Sequence, residues 1–257
     1  MILAAREAGS GSAICLLHGL FGAARNFGAM QRRLATRFRV IALDLRNHGA
    51  SSHAEGMSYI GMAEDVRETL AALGALPAMI LGHSMGGKVA MRLALAHEEA
   101  VRALVVADIA PVPYPPHHRE MTAAMLSLPL GLGLTRQTAD AALAPSVPDP
   151  QLRGFLLQNL IVGEKPSWRN GLAEIAGAMA EIEDFPLLPG ERYEGPALFV
   201  AGERSDYIRP EHHAVIRALF PKAGFATVPG AGHWLHADNP EGLLAVIEPF
   251  FTAWAPA

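Results

Sequence analysis

The chain has 257 residues, of which 51% are hydrophobic and 18% charged, and a formal net charge of -4. That length and apolar content predict one large α/β domain with a sheet buried on both faces, and they exclude a disordered chain. The weakly acidic balance, with no Lys/Arg cluster, gives no footprint for nucleic acid or an anionic membrane surface. No run of about 18 uncharged apolar residues is present. Arg6 and Glu7 put charges where a signal peptide would carry its apolar stretch, so the expectation is a cytoplasmic protein without membrane anchoring. The single Cys15 excludes an internal disulfide and falls in an apolar run, as a buried thiol does.

Residues 2–5 are predicted to form a first edge strand, followed by a Gly/Ser turn. Ala13-Ile14-Cys15-Leu16-Leu17 reads as a buried strand opening into His18-Gly19-Leu20-Phe21-Gly22. Small residues there leave bare backbone at the strand's carboxyl end, where N–H groups can meet an anion. A helix is predicted over 24–36, with Phe27, Met30 and Leu34 on one face, and a strand over 39–44. Its exit carries Asp44, Arg46 and His48 and is expected to be a structural loop, with Asp44 and Arg46 satisfying backbone groups, rather than to line a site. Ser58 is placed to cap a helix over 59–73 whose Ile60, Ala63, Val66 and Leu70 form the buried stripe.

The centre of the pattern is residues 79–91, MILGHSMGGKVAM: an apolar run, a Gly-x-Ser-x-Gly turn, then helical spacing. Such a turn strains its central residue, and the positions two before and two after must lack a side chain. Gly82 and Gly86 meet that demand and make Ser84 a candidate nucleophile. A helix over 85–96 precedes a strand over 101–108 that ends on Asp108.

From residue 111 to 189 the strand rhythm stops, and short helices are predicted over 121–128, 139–143, 152–160 and 172–182. This segment reads as an inserted, apolar helical lid on a core made of residues 1–110 and 190–257. Its Arg119, Arg136, Arg153, Lys165 and Arg169 are expected to form a solvated face rather than a phosphate site. The sheet resumes over 197–201 and leads into Gly202-Glu203-Arg204-Ser205-Asp206, a second carboxylate at a strand end. A helix over 210–219, a strand over 224–228, the Gly-rich loop ending at His233 and a helix over 240–254 complete the chain. The pairs His117-His118 and His212-His213 lack metal-ligand spacing and are expected to be exposed, whereas His83 and His236 are expected to pack around the site. No metal and no cofactor is expected.

With HGLFG, GHSMGG, a strand-end acid and GAGHW in that order, the chain resembles the α/β-hydrolase family over nearly its whole length. LRNHGAS, GHSMGGKVAM and ADIAPV are similar, more narrowly, to YbfF-type serine esterases and their mitochondrial abhydrolase-domain relatives. The resemblance implies a mostly parallel twisted sheet with helices on both faces and an inserted helical lid. It also implies a triad of Ser84, a carboxylate and His233, with the N–H groups of Leu20 and Met85 as the oxyanion hole.

A neutral Ser hydroxyl is a poor nucleophile, so an imidazole must take its proton and a carboxylate must orient that imidazole. Two carboxylates compete for the last role. In much of the family the acid stands three residues after the glycine ending the penultimate strand, which here is Ser205, with Asp206 one later. The narrower relatives place an Asp one strand earlier, matching Asp108. Asp108 is therefore the expected acid and Asp206 the alternative.

The expected activity is that of a carboxylesterase or thioesterase, taking a small-molecule ester or acyl-thioester with an apolar acyl group through an acyl-enzyme. A Ser nucleophile argues against haloalkane dehalogenase and soluble epoxide hydrolase chemistry, which needs a carboxylate in its place. Cofactor-free haloperoxidase or carbon-carbon bond hydrolase activity stays open on the same residues, as does a non-catalytic ligand receptor.

Overall fold

The structure, a computed structural model, describes residues 1–256. Strands β1 (Ala5–Ala8), β2 (Ala13–Leu17), β3 (Arg39–Leu43), β4 (Ala78–His83) and β5 (Val101–Ala107) alternate with helices α1 (Gly28–Leu34), α2 (Tyr59–Ala72) and α3 (Met85–Ala96). Beyond β5 come α4 (Arg119–Ser127), α5 (Arg136–Leu143), α6 (Pro150–Leu157), a small antiparallel hairpin β6 (Leu160–Ile161) and β7 (Ser167–Trp168), α7 (Leu172–Gly177) and α8 (Met179–Glu183). The chain then returns through β8 (Ala197–Gly202), α9 (His213–Leu219), β9 (Ala223–Val228), α10 (Leu235–Asp238) and α11 (Pro240–Trp254). The main sheet runs β1-β3-β2-β4-β5-β8-β9, parallel throughout except for the antiparallel edge β1.

The continuous apolar strands are explained by cores on both faces. Successive side chains of a strand point to opposite faces, so Cys15, Leu17, Ile80, Leu104 and Val106 join the core beneath α2 and α3. Their neighbours Ile14, Leu16, Met79, Leu81 and Val105 join the core beneath α1 and α11. A parallel sheet needs both coverings, and its strand ends gather at one edge, where a site can form.

Several local expectations shift. The first strand lies at Ala5–Ala8 rather than at 2–5, pairing Ala5 with Leu43 and Ala8 with Val40. Leu3 is instead buried, its N–H donating to Thr69 Oγ1 at 2.9 Å. The helix predicted over 24–36 opens as a tight 3₁₀ turn, Ala24–Phe27, because Asn26 Oδ1 accepts from Ala23 N–H and Asp44 Oδ1 from Ala24 N–H. In α2, Ser58 caps Gly61 as expected, but Ile60 is exposed. Tyr59 turns inward in its place, donating its hydroxyl to Ile182 O at 2.7 Å.

The segment between β5 and β8 is tied to the core at specific points. Asn159 Nδ2 donates to Phe21 O at 2.7 Å, and Gly171 N–H to Asn47 O at 2.9 Å. The helix expected over 152–160 stops at Leu157, since the chain turns there into the β6–β7 hairpin. Arg119 pairs with Glu183, Arg153 with Asp140, and Arg136 donates to Leu160 O, while Lys165 and Arg169 are exposed. Among the described residues no helix is long and apolar enough to cross a membrane.

Candidate active site

Ser84 caps α3 at the sharp turn out of β4, with φ 53° and ψ -122°. Such a backbone costs about 1–3 kcal/mol and survives only where its surroundings enforce it. They do so here: Ser84 N–H donates to Ala107 O at 3.0 Å, and Gly87 N–H to Ser84 O at 2.8 Å. The flanking glycines are sterically required. A Cβ at Gly82 would sit 2.1 Å from Gly86 O, and one at Gly86 would sit 2.3 Å from Leu17 O. Gly82→Ala is accordingly expected to cost about 3 kcal/mol or more, lowering Tm by about 6 °C or more in a thermal melt. A Tm within about 2 °C of the parent would contradict that packing.

His233 Nε2 lies 3.0 Å from Ser84 Oγ, and His233 Nδ1 lies 2.8 Å from Asp108 Oδ2. An ionised carboxylate only accepts, so Nδ1 carries the proton and Nε2 is left to accept from the serine hydroxyl. Asp108 is fully buried just past β5, at φ 54°. Its Oδ1 accepts from Gly202 N–H at 3.0 Å, and its Oδ2 also accepts from the Ser205 hydroxyl. Asp206 is exposed, and its backbone carbonyl accepts from Arg209 Nε at 3.0 Å. The structure thus brings Ser84, Asp108 and His233 together and leaves Asp206 outside the group.

Sequence reasoning missed the part played by Ser205. The signal was present, since Ser205 occupies the place three residues past Gly202 where the family pattern has its acid. It also missed Tyr207, whose ring stacks on His233 with centroids 4.0 Å apart. His83 and His236 pack where expected: His83 Nε2 donates to His233 O at 2.7 Å, and the rings of His83 and His236 meet edge-on at 4.9 Å. Burial pushes His83 well below the ordinary histidine value and His236 down to about 4. Both therefore stay neutral at pH 7 and set no cation beside His233.

Leu20 and Met85 flank the nucleophile. Met85 is the first residue of α3, so its N–H has no partner within the helix and faces outward with the positive end of the helix dipole. The Leu20 N–H shares a peptide with Gly19 O, which accepts from Gly22 N–H at 2.9 Å and from His18 Nδ1 at 2.8 Å. Pinning that carbonyl fixes the opposite direction for the N–H. Among the described residues neither Leu20 N–H nor Met85 N–H has a protein acceptor.

The loop is held from behind by a second histidine. His18 Nε2 accepts from Leu45 N–H at 3.0 Å, and His48 Nε2 accepts from Phe21 N–H at 3.1 Å. Burial lowers His18 to about 4 and His48 to about 3, so each is a neutral ring of fixed tautomer. Asp44 accepts from Ala24 and Ala50 N–H, and Arg46 pairs with Asp65. These loop residues satisfy backbone and neighbours, as their spacing predicts.

The cleft divides at Ser84. Its larger chamber is lined by Phe27, Met121, Leu152, Phe155 and Trp234. The smaller is lined by Tyr59, Met85, Lys88, Tyr114 and Tyr207, and Leu20, Ser84 and His118 border both. His118 corrects the expectation of an exposed pair: His117 is exposed, but His118 is half-buried, and burial pushes it down to about 4. The second pair is also half-buried, with His213 stacked on Phe225 at 4.0 Å and His212 Nδ1 accepting from Arg209 N–H at 3.2 Å. Among the described residues no group of three or more His, Cys, Asp or Glu is arranged to hold a metal ion.

The family described as alpha/beta hydrolase fold matches residues 12–240. The sn-1-specific diacylglycerol lipase ABHD11 of Mus musculus is 42% identical over 247 residues, covering 93% of this chain and 80% of that protein. Esterase YbfF of Escherichia coli (strain K12) is 35% identical over 237 residues, covering 92% of this chain and 91% of its own length. Among solved structures, a marine microorganism esterase superposes with a TM-score of 0.93 at 37% identity, covering 97% of this chain and 99% of that one.

Proposed function

The chain belongs to the alpha/beta hydrolase fold family and is an ester hydrolase, and from that premise we propose that it is a serine carboxylesterase working through Ser84, His233 and Asp108. The observation that carries this reading is the hydrogen-bond chain Ser84 Oγ to His233 Nε2 to Asp108 Oδ2, at 3.0 and 2.8 Å. As Ser84 Oγ attacks the ester carbonyl, His233 Nε2 takes its proton, and Asp108 stabilises the resulting imidazolium. The N–H groups of Leu20 and Met85 receive the oxyanion, a task worth about 2.7–4 kcal/mol per donor where it has been measured. His233 then protonates the departing alcohol, leaving Ser84 acylated. Water deprotonated by His233 attacks the acyl-enzyme, and the acid leaves with Ser84 restored.

Residues 111–189 act in this reading as a lid whose Met121, Leu152 and Phe155 form one wall of the larger chamber. That chamber takes an apolar acyl group, and the same chemistry serves acyl-thioesters, since Ser84 attacks either carbonyl. The experiment is a panel of p-nitrophenyl esters and matched acyl-thioesters of increasing chain length. The expected result is that kcat/KM rises from acetyl to medium chains in the ester series and that the thioesters follow the same order. Activity confined to acetyl esters would overturn the assignment of the larger chamber to the acyl chain.

A further inference from the structure

Lys88 follows Ser84 by four residues, so the two share a face of α3 one helical turn apart. Its side chain is almost wholly buried, 2% exposed, and lines the smaller chamber. The ammonium donates to the carbonyls of Asp184 at 2.8 Å and Glu183 at 3.3 Å. It lies 5.0 Å from the ring centre of Tyr114 and 5.5 Å from that of Tyr59. An ammonium carries three donors, and these two carbonyls engage two of them.

Among the described residues Lys88 forms no ion pair. The carboxylate of Glu183 is committed to Arg119, and Asp184 Oδ1 accepts from Phe185 N–H at 2.8 Å. His118, the other titratable ring bordering the chamber, is neutral at pH 7, and Tyr59, Tyr114 and Tyr207 keep their protons there because burial raises all three. A buried cation without a counterion is costly, and proteins ordinarily pair it. Burial takes Lys88 down to about 7, against the opposing pull of the nearby Asp184 and Glu183 carboxylates, neither of which reaches its ammonium.

We propose that the smaller chamber is an anion subsite in which Lys88 binds a carboxylate carried on the alcohol portion of the ester, so that the preferred substrates are acyl esters of short hydroxy acids. The inference rests on the reading of Ser84 as nucleophile and of the larger chamber as the acyl pocket, which leaves the alcohol portion to the other side of the scissile bond. A single cation matches a single negative charge. The helical rise between Ser84 and Lys88 is about 6 Å, and the lysine side chain slants back toward the helix start. An anion one or two carbons beyond the ester oxygen is thus within its reach. In the reaction the ester C–O bond breaks, the hydroxy acid oxygen takes its proton from His233, and water later releases the acyl group.

The test compares O-butyrylglycolate with propyl butyrate, which share an acyl group and differ in having a carboxylate or an ethyl group on the same carbon. Release of butyrate gives kcat/KM for each, and the ratio is the readout. In Lys88→Met the ratio is expected to fall about tenfold or more, through KM rather than kcat, and Lys88→Arg is expected to keep most of it. A ratio unchanged in Lys88→Met, with both esters slowed in parallel, would reduce Lys88 to a tether for the end of α8 and overturn the proposal. Calorimetry on the Ser84→Ala protein, with Lys88 intact, should show O-butyrylglycolate binding about tenfold tighter than propyl butyrate, and equal binding would likewise overturn it. Because this arm measures binding without turnover, its outcome stands apart from whether Ser84 is the nucleophile. It also does not depend on the folding of a Lys88 variant.

Discussion

Replacing Asp108 by asparagine is expected to lower kcat by about 10⁴, while Asp206→Asn lowers it by less than about threefold. The difference follows from the tautomer of His233. Its Nδ1 donates to Asp108 Oδ2 at 2.8 Å, which leaves Nε2 as the atom that takes the proton of Ser84. An asparagine that turns its amide N–H₂ toward Nδ1 selects the other tautomer, in which Nε2 already holds a proton and cannot act as a base. The carbonyl end of that amide is drawn the opposite way, toward the donor Gly202 N–H. Asp206 is exposed, and its loss touches none of these bonds. Initial rates on a short p-nitrophenyl ester, with thermal melts as the folding control, read the comparison directly. The reverse order of effects would show that the working acid comes from β8 rather than β5.

The second large effect concerns groups that act as a unit. Ser84→Ala and His233→Ala are each expected to lower kcat by about 10⁶, and the double variant by no more than either alone. A serine that keeps its hydroxyl but lacks its base is nearly as inert as no serine, so the two losses do not add. On the proposed mechanism the remaining rate is expected to come from the N–H groups of Leu20 and Met85 and from substrate binding, which neither change removes. A double variant slower than the single ones by about the product of their effects would mean that the two residues act independently.

Much of this arrangement was legible in the sequence because it depends on backbone rules. Gly82 and Gly86 announce the turn because any Cβ there would strike the carbonyls of Gly86 and Leu17. The strands were legible because burial on both faces leaves no polar alternation to obscure them. Elements too short for a period were not: β6 and β7 have two residues each and carry no pattern. The edge strand β1 was displaced in the reading because its residues are mostly exposed, while Leu3 before it is buried elsewhere and Ile2 is exposed. Ile60 matched the helical stripe, but Tyr59 took the inward position and met the Ile182 carbonyl in the segment between β5 and β8. Tyr207 and His118 came to the site through the path of the chain in three dimensions, which residue spacing does not encode, whereas Ser205 stood three residues past Gly202, where the family pattern has its acid. Lys88 read as an ordinary helix residue because nothing local shows that α8 and two tyrosines close over it.

The role given to Ser84 is tested most directly by reaction with a fluorophosphonate followed by mass mapping of the adduct. One covalent adduct on Ser84 is expected, absent in Ser84→Ala and formed far more slowly in His233→Ala. Full labelling of the Ser84→Ala protein, or an intact protein that never reacts, would contradict it.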